Sequence, residues 1–280
     1  YNKQAVDPSF PHNSFNHVIL CVPANKDTTW LECTSKSTNA GVLGSFTENR
    51  NALLITPDGG VLVATPKSKA SENTFNLTSK IILKEDASGQ SENVLKTNGE
   101  FKEEIIEDVM DEKKDDQKEY LVSRLGFLQP DEFELTNDNE DNLTKTSFKL
   151  TIEKIPEFTA GSKMFLNPRI YKIWNYTLPT TEKRTKAFYY SFPFIKTDTT
   201  VYQLPENYVL ENLPKARDTK FQYGSFKTNY LYDEKANTVT SIAFLELSQN
   251  VIPAEKFAEA RNFFGSVIQE FTEKIVIKKK

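Results

Sequence analysis

The chain is poor in the residues that build metal sites and disulfide frameworks. Its 280 residues include two cysteines and two histidines, without a Cys-x-x-Cys or His-x-x-x-His spacing. Structural zinc sites hold their cysteine and histidine ligands at such short spacings, so a zinc centre is not expected. A phosphate-binding loop of the Gly-x-x-x-x-Gly-Lys kind is also absent from the sequence. We therefore expect no metal and no cofactor.

Long apolar runs and a strong charge of one sign are lacking too. Lys and Arg number 35 against 39 Asp and Glu, a net charge of −4, which argues against a nucleic-acid partner. No run is long enough for a transmembrane segment, and no signal-peptide pattern is present. Because residue 1 is tyrosine rather than methionine, we expect a processed product or a piece of a longer protein. The lack of a signal peptide in this sequence therefore gives no information on the compartment of the parent protein.

Bulky aromatic residues are plentiful, with 20 phenylalanines and 11 tyrosines to fill a core. Apolar and polar residues alternate, or short apolar runs stand between turn residues, over much of the chain, which predicts short strands. A helical period replaces this pattern near residues 100–125 and again near 253–272. The strands are predicted at residues 52–55 and 61–64 as a hairpin, 75–83, 147–153, 185–192, 199–204, 223–232 paired with 238–247, and 274–277.

These patterns predict an α+β fold, mostly antiparallel β, with a β-sandwich-type domain that contains an inserted acidic helical segment and a C-terminal helix. The polar stretch at residues 66–74 predicts a boundary between domains at 1–66 and 67–280. We interpret the acidic residues near 103–112 as a solvated helix face rather than a cation site.

Two short segments carry the candidate chemistry. Residues 15–20 and 30–34 are each predicted to be a buried strand, and they contain His17 and Glu32. An imidazole oriented by a carboxylate is how several cysteine-dependent enzymes prepare their nucleophile. Strand parity predicts His17 and Glu32 on one face of neighbouring antiparallel strands, with Cys21 and Cys33 as two buried free thiols. Without further support, a lone histidine in an apolar strand is usually a core residue.

The same residues resemble a known superfamily. Phe-Asn-His at 15–17, Trp-Leu-Glu-Cys-Thr at 30–34 and the run at 41–54 are similar to the last third of a transglutaminase-like core in exported Bacteroidetes-type proteins. The stretches at 192–214 and 252–257 resemble the C-terminal domain of unknown function in those proteins. The resemblance implies that residues 1–66 end a transglutaminase-like core sheet, with His17 as the catalytic histidine, Glu32 as the acid that orients Nδ1, and Thr34 as the closing threonine.

This chain departs from the pattern at the acid and at the nucleophile. Glu32 replaces the usual aspartate, and Cys33 replaces the usual proline. The family places its cysteine before the histidine, hence before Tyr1. Cys21 follows His17 by four residues, about 13 Å along a strand, so it is not the nucleophile. His12, beside Pro11, is expected to be an exposed loop residue.

Two functions follow as alternatives. The first is a fragment of a transglutaminase-like acyl-transfer or peptide/amide hydrolase, inactive as this chain, acting in its parent on a peptide, protein or peptidoglycan-type amide. The second is a non-catalytic binding or scaffolding module of a bacterial envelope protein. The resemblance implies a periplasmic or cell-surface parent, and the remainder of the parent chain as a partner.

Overall fold

The computed structural model describes residues 15–24, 27–34, 39–138, 143–180 and 184–280. The chain forms two compact units, Tyr1–Lys69 and Ala70–Lys280, which we call the N-terminal and C-terminal units. Whether these correspond to the end of a transglutaminase-like core and a separate sandwich-type domain stays a prediction. His12 lies outside the described residues.

The N-terminal unit contains two antiparallel hairpins. The strands are β1 Leu20–Ala24, β2 Asp27–Leu31, β3 Asn51–Thr56 and β4 Gly59–Ala64. β1 pairs with β2, with Leu20 opposite Leu31, and β3 pairs with β4, with Thr56 opposite Gly59. The predicted hairpin around Pro57 and Asp58 is therefore confirmed. Gly59 has φ of +120°, a backbone conformation that favours glycine where the chain turns back.

The prediction that residues 15–20 form a buried strand is wrong. Val18, Leu20 and Val22 are 83%, 55% and 44% exposed. They share one face of the hairpin, and the opposite face, which carries His17, is half-buried. Only Leu20 of this segment belongs to β1, and a two-stranded ladder buries a face only where a second layer covers it.

The C-terminal unit contains the remaining strands and the helices of the described residues. Its strands are β5 Thr74–Leu83, β6 Gly89–Thr97, β7 Glu132–Asp138, β8 Leu143–Ile152, β9 Phe158–Ala160, β10 Lys163–Leu166, β11 Phe188–Tyr189, β12 Phe194–Gln203, β13 Tyr208–Asn212, β14 Arg217–Phe221, β15 Gly224–Asp233, β16 Thr238–Leu247, β17 Val251–Ile252 and β18 Ile275–Lys279. Its α-helices are α1 Glu100–Ile105, α2 Lys114–Glu119 and α3 Phe257–Glu270, with π-helical turns at Ile106–Met110 and Tyr120–Arg124 and 3-10 turns at Ala70–Glu72 and Ala254–Lys256.

Eight of these strands form one large sheet, in the order β14-β15-β16-β12-β5-β6-β8-β7. All neighbours are antiparallel except β5 and β12, which are parallel, with Thr74 opposite Ile195. Buried and exposed residues alternate along the central strands, so one face of the sheet is buried and the other is solvated.

Three groups of elements pack against the buried face of the large sheet. The smaller sheet β13-β18-β10-β9 shares a core cluster with it that includes Ile81, Tyr202 and Ile277. Helix α3 packs through Phe257, Phe264 and neighbouring apolar residues, and the helical segment at 100–125 packs through Leu121 and Phe101. The predicted class, α+β with mostly antiparallel strands, an acidic helical segment and a C-terminal helix, is confirmed.

One predicted strand is largely absent. Of residues 185–192, only Phe188–Tyr189 form a strand, which pairs with Val251–Ile252. Tyr190 and Phe192 instead face the aromatic cluster around Trp174 and Phe264. Packing of large rings, rather than a long ladder, therefore determines the path of this segment.

Candidate functional site

The N-terminal unit brings His17 and Glu32 into contact. His17 Nε2 lies 2.8 Å from Glu32 Oε1, a hydrogen-bond distance. His17 precedes β1 by three residues and Glu32 follows β2 by one, so both lie just beyond the ladder. Extending the ladder from the Leu20–Leu31 pair places Glu32 opposite Ile19, which makes His17 its diagonal neighbour on the same face. The contact agrees with the parity argument, whereas the expectation that both residues lie within strands is wrong.

Two threonines hold the carboxylate of Glu32. Thr34 Oγ1 donates to Oε1 at 2.9 Å, and Thr47 Oγ1 donates to Oε2 at 3.3 Å. The Glu32 side chain is 3% exposed. Burial raises the pKa of Glu32, but the hydrogen bonds from His17 and Thr34 and the charge of His17 outweigh it, so the pKa lies below its ordinary value. Glu32 is therefore an ionised acceptor at neutral pH.

The imidazole of His17 is oriented as well as bonded. The ring of Phe46 meets it edge-on, with centroids 4.9 Å apart and an interplanar angle of 81°. Because an ionised carboxylate only accepts hydrogen bonds, Nε2 donates in this contact, and in the neutral form of the ring the lone pair lies on Nδ1. The expectation that Glu32 orients Nδ1 is wrong, since Nε2 faces the acid. The His17 side chain remains 26% exposed, so a second reactant can approach the ring.

A loop that ends just before β3 supplies Phe46 and Thr47 to this site. Gly44 O accepts from the backbone of Thr47 and Glu48, which closes a turn, and Thr65 Oγ1 donates to Thr47 O at 2.8 Å. The hydroxyl of Thr47 lies 3.1 Å from Gly44 O and 3.3 Å from Glu32 Oε2, and its single proton can be donated to either oxygen. No periodic signal could have identified Thr47, because the direction of its side chain depends on a turn rather than on strand parity.

The two cysteines are free, as predicted, but they are not buried. Cys21 is half-buried and Cys33 is exposed, with its thiol 3.6 Å from the carbonyl of Leu31. Cys21 pairs with Trp30 in the ladder, on the face of His17, while Cys33 points to the other face. Within the described ranges, neither thiol is hydrogen-bonded to the imidazole. The same residues contain no cluster of three or more His, Cys, Asp or Glu side chains that could hold a metal ion.

Comparisons with known proteins concern mainly the C-terminal unit. Residues 162–277 match the model of a domain of unknown function, DUF3858. The predicted similarity of the C-terminal stretches to a domain of unknown function is thereby confirmed. The match begins beside β10 and ends within β18, so it does not include His17 or Glu32.

A solved structure of a candidate protease from Parabacteroides distasonis is similar over 36% of this chain and 19% of that one. The sequence identity is 12% and the TM-score is 0.31, a value that does not establish a common fold. This chain thus spans about a fifth of that protein's length. No curated protein sequence matches the chain significantly. Among the described helices, none has the length and apolar character needed to cross a bilayer.

Proposed function

We propose that the N-terminal unit carries the histidine and the acid of a transglutaminase-like site for cysteine-dependent acyl transfer or amide hydrolysis. The observation that supports it best is the His17 Nε2–Glu32 Oε1 hydrogen bond, anchored by Thr34 and Thr47. A histidine used only for packing has no need of an acid with two further donors. This arrangement selects one tautomer of the neutral ring and leaves Nδ1 as its acceptor atom.

The chemistry assigns each group one task. A cysteine thiol gives its proton to His17 Nδ1, and the thiolate attacks the carbonyl carbon of an amide. His17 then returns the proton to the leaving amine, and Glu32 stabilises the intermediate imidazolium. Water or a second amine next attacks the thioester and releases the thiol. The substrate class is a peptide, protein or peptidoglycan-type amide, and the site of action is the periplasm or the cell surface.

The nucleophile of this proposal is not one of the two cysteines of the chain. Cys33 points to the other face of the ladder, and Cys21 follows His17 by four residues, a separation of about 13 Å for an extended chain and beyond hydrogen-bond reach. The thiol therefore comes from polypeptide outside residues 1–280. As this chain alone, the protein is proposed to be inactive.

The test uses the full product of the gene and a panel of fluorogenic peptide amides, with and without a primary amine as acyl acceptor. His17→Ala is expected to lower kcat/KM by about 10²–10⁴-fold, the usual contribution of a general base. His12→Ala is the matched histidine control and is expected to leave activity unchanged. Iodoacetamide is expected to abolish turnover, because it alkylates the thiolate.

Three results would contradict the proposal. These are full activity in the His17→Ala variant, activity that survives iodoacetamide, and no turnover of any amide by the full gene product. The last result, with His17 and Glu32 still in contact by NMR, would favour the binding or scaffolding module instead.

A further inference from the structure

A row of polar side chains crosses the buried face of the large sheet. The strand registers bring five residues to the same level on β15, β16, β12, β5 and β6. Every one of them is less than a tenth exposed. We call this set the polar row: Tyr230, Ser241, Thr200, Ser79 and Asn93. At the next level, Val239, Tyr202 and Ile81 lie in the core.

Charged groups stand over one part of the row. Arg169 donates to Glu270 through two nitrogens, at 2.7 and 2.9 Å, and Tyr230 OH also donates to Glu270. Arg169 Nε lies 3.9 Å from Asp198 Oδ1, which accepts from Thr200 at 2.7 Å. Arg169, Asp198 and Glu270 are all fully buried. The network therefore connects the end of α3 with the middle of the sheet.

Five polar atoms along this network have no hydrogen-bond partner among the described residues. Two are the hydroxyls of Ser79 and Ser241, and the others are Asn93 Oδ1, Asp198 Oδ2 and Arg169 Nε. A buried polar group without a partner costs about 1–3 kcal/mol. Five within a single network would remove much of the roughly 5–15 kcal/mol by which a domain is stable. A small polar ligand that satisfies them is therefore expected.

The donors, acceptors and charges of the network identify that ligand. Facing hydroxyls on neighbouring strands of this sheet can bond directly, as those of Thr97 and Thr144 do, but the two serine hydroxyls of the polar row make no such bond. The atoms without a partner include both donors and acceptors, and a single water molecule matches both. The charges also argue against an ion, because a cation would face Arg169 and an anion would face Asp198 and Glu270.

We propose that the polar row holds a file of internal water molecules, one beside Ser79 and one beside Ser241, that connect these hydroxyls to Asp198 and Arg169. Water both donates and accepts, so it satisfies Arg169 Nε and Asp198 Oδ2 as well as the serines. These waters continue the hydrogen-bond network that begins at Glu270 of α3 across the centre of the sheet.

The first test is a high-resolution crystal structure of the whole chain. Water density within about 2.6–3.2 Å of the hydroxyls of Ser79 and Ser241 supports the proposal. Direct bonds from both hydroxyls to backbone carbonyls, with no water between the strands, overturn it. This result depends only on the unsubstituted protein, so it stands even where a variant fails to fold.

The second test counts long-lived waters in solution by oxygen-17 magnetic relaxation dispersion. A chain of this size holds on the order of ten buried waters, so the loss of one is measurable. Ser79→Ala and Ser241→Ala are each expected to remove about one of them. Thr78→Ala, on the adjacent exposed position of β5, is the matched control and is expected to remove none. An unchanged count in both serine variants contradicts the proposal.

Discussion

At the scale of single residues, two of the acid–base pairs in this chain have opposite properties. The pair of His17 and Glu32 keeps about a quarter of its imidazole exposed, so a reactant can exchange protons with it. Both side chains of the Arg169–Glu270 pair are buried from solvent. Burial by itself lowers the pKa of Arg169, but the hydrogen bonds and charge of Glu270 outweigh it and raise the pKa above its ordinary value. Arg169 thus stays charged, and the second pair is structural.

Asp198 gives this buried network a pH dependence. Burial raises its pKa to about 6, against the opposing effects of Arg169 and Thr200. Because the folded pKa lies above the unfolded value near 3.8, the folded state holds an extra proton between these pH values. The stability that this proton contributes is present at low pH and is lost as the pH rises through about 6. The other titratable groups that bear on it are Glu270, Tyr171 and Tyr202.

We predict that Asp198→Asn changes the pH dependence of unfolding. The free energy of unfolding of the unsubstituted protein, relative to the variant, should fall by about 2 kcal/mol between pH 4.5 and 7.5. Urea denaturation at the two pH values measures it. Asp218→Asn, at an exposed position of β14, is the control. For this variant, the free energy of unfolding relative to the unsubstituted protein should change by less than about 0.5 kcal/mol between the two pH values. Equal pH dependence in the Asp198 variant and the unsubstituted protein would show that this carboxyl does not titrate as argued.

At the scale of elements, helix α3 contains a glycine, a residue with low helix propensity. Gly265 lies in the helix interior and is exposed, and a Cβ built on it meets no atom within 4 Å. Glycine in a helix costs about 0.5–1 kcal/mol relative to alanine, because it loses more backbone freedom on folding.

We therefore predict that Gly265→Ala stabilises the protein by about 0.5–1 kcal/mol, measured as a higher urea midpoint with an unchanged slope. Gly89→Ala is a matched contrast at the start of β6. A Cβ there would lie 2.2 Å from the carbonyl oxygen of Ile82, so it should destabilise. Destabilisation by both substitutions would mean that a side chain at position 265 is obstructed by other residues.

Local patterns explain how far these elements could be predicted from the sequence. The β3–β4 and β15–β16 hairpins and α3 follow from alternation, turn residues and helical period, which are properties of adjacent residues. The parallel pairing of β5 with β12 joins positions about 120 residues apart, and nothing local specifies it. The contact of His17 with Glu32 followed from parity. The use of Nε2 did not, because it depends on a side-chain rotamer.

At the scale of the whole molecule, the hydrophobic cores belong to the C-terminal unit. Each of the three large buried clusters consists only of residues at or beyond position 75. The N-terminal unit consists, in its described part, of two short hairpins with exposed aliphatic residues such as Ile55 and Val61. A two-stranded hairpin is marginal by itself, whereas a sheet covered on one face is stable.

This division predicts that residues 70–280 fold alone. Because no described residue of the N-terminal unit belongs to the three clusters, the fragment should unfold cooperatively, with a Tm within about 2 °C of the main transition of the whole chain. A fragment of residues 86–280 is the matched control. It lacks β5, which joins β12 to β6 in the middle of the large sheet, so it should lose the cooperative transition. Calorimetry of the two fragments decides the matter, since a non-cooperative 70–280 fragment would mean that the first 69 residues are needed for the core.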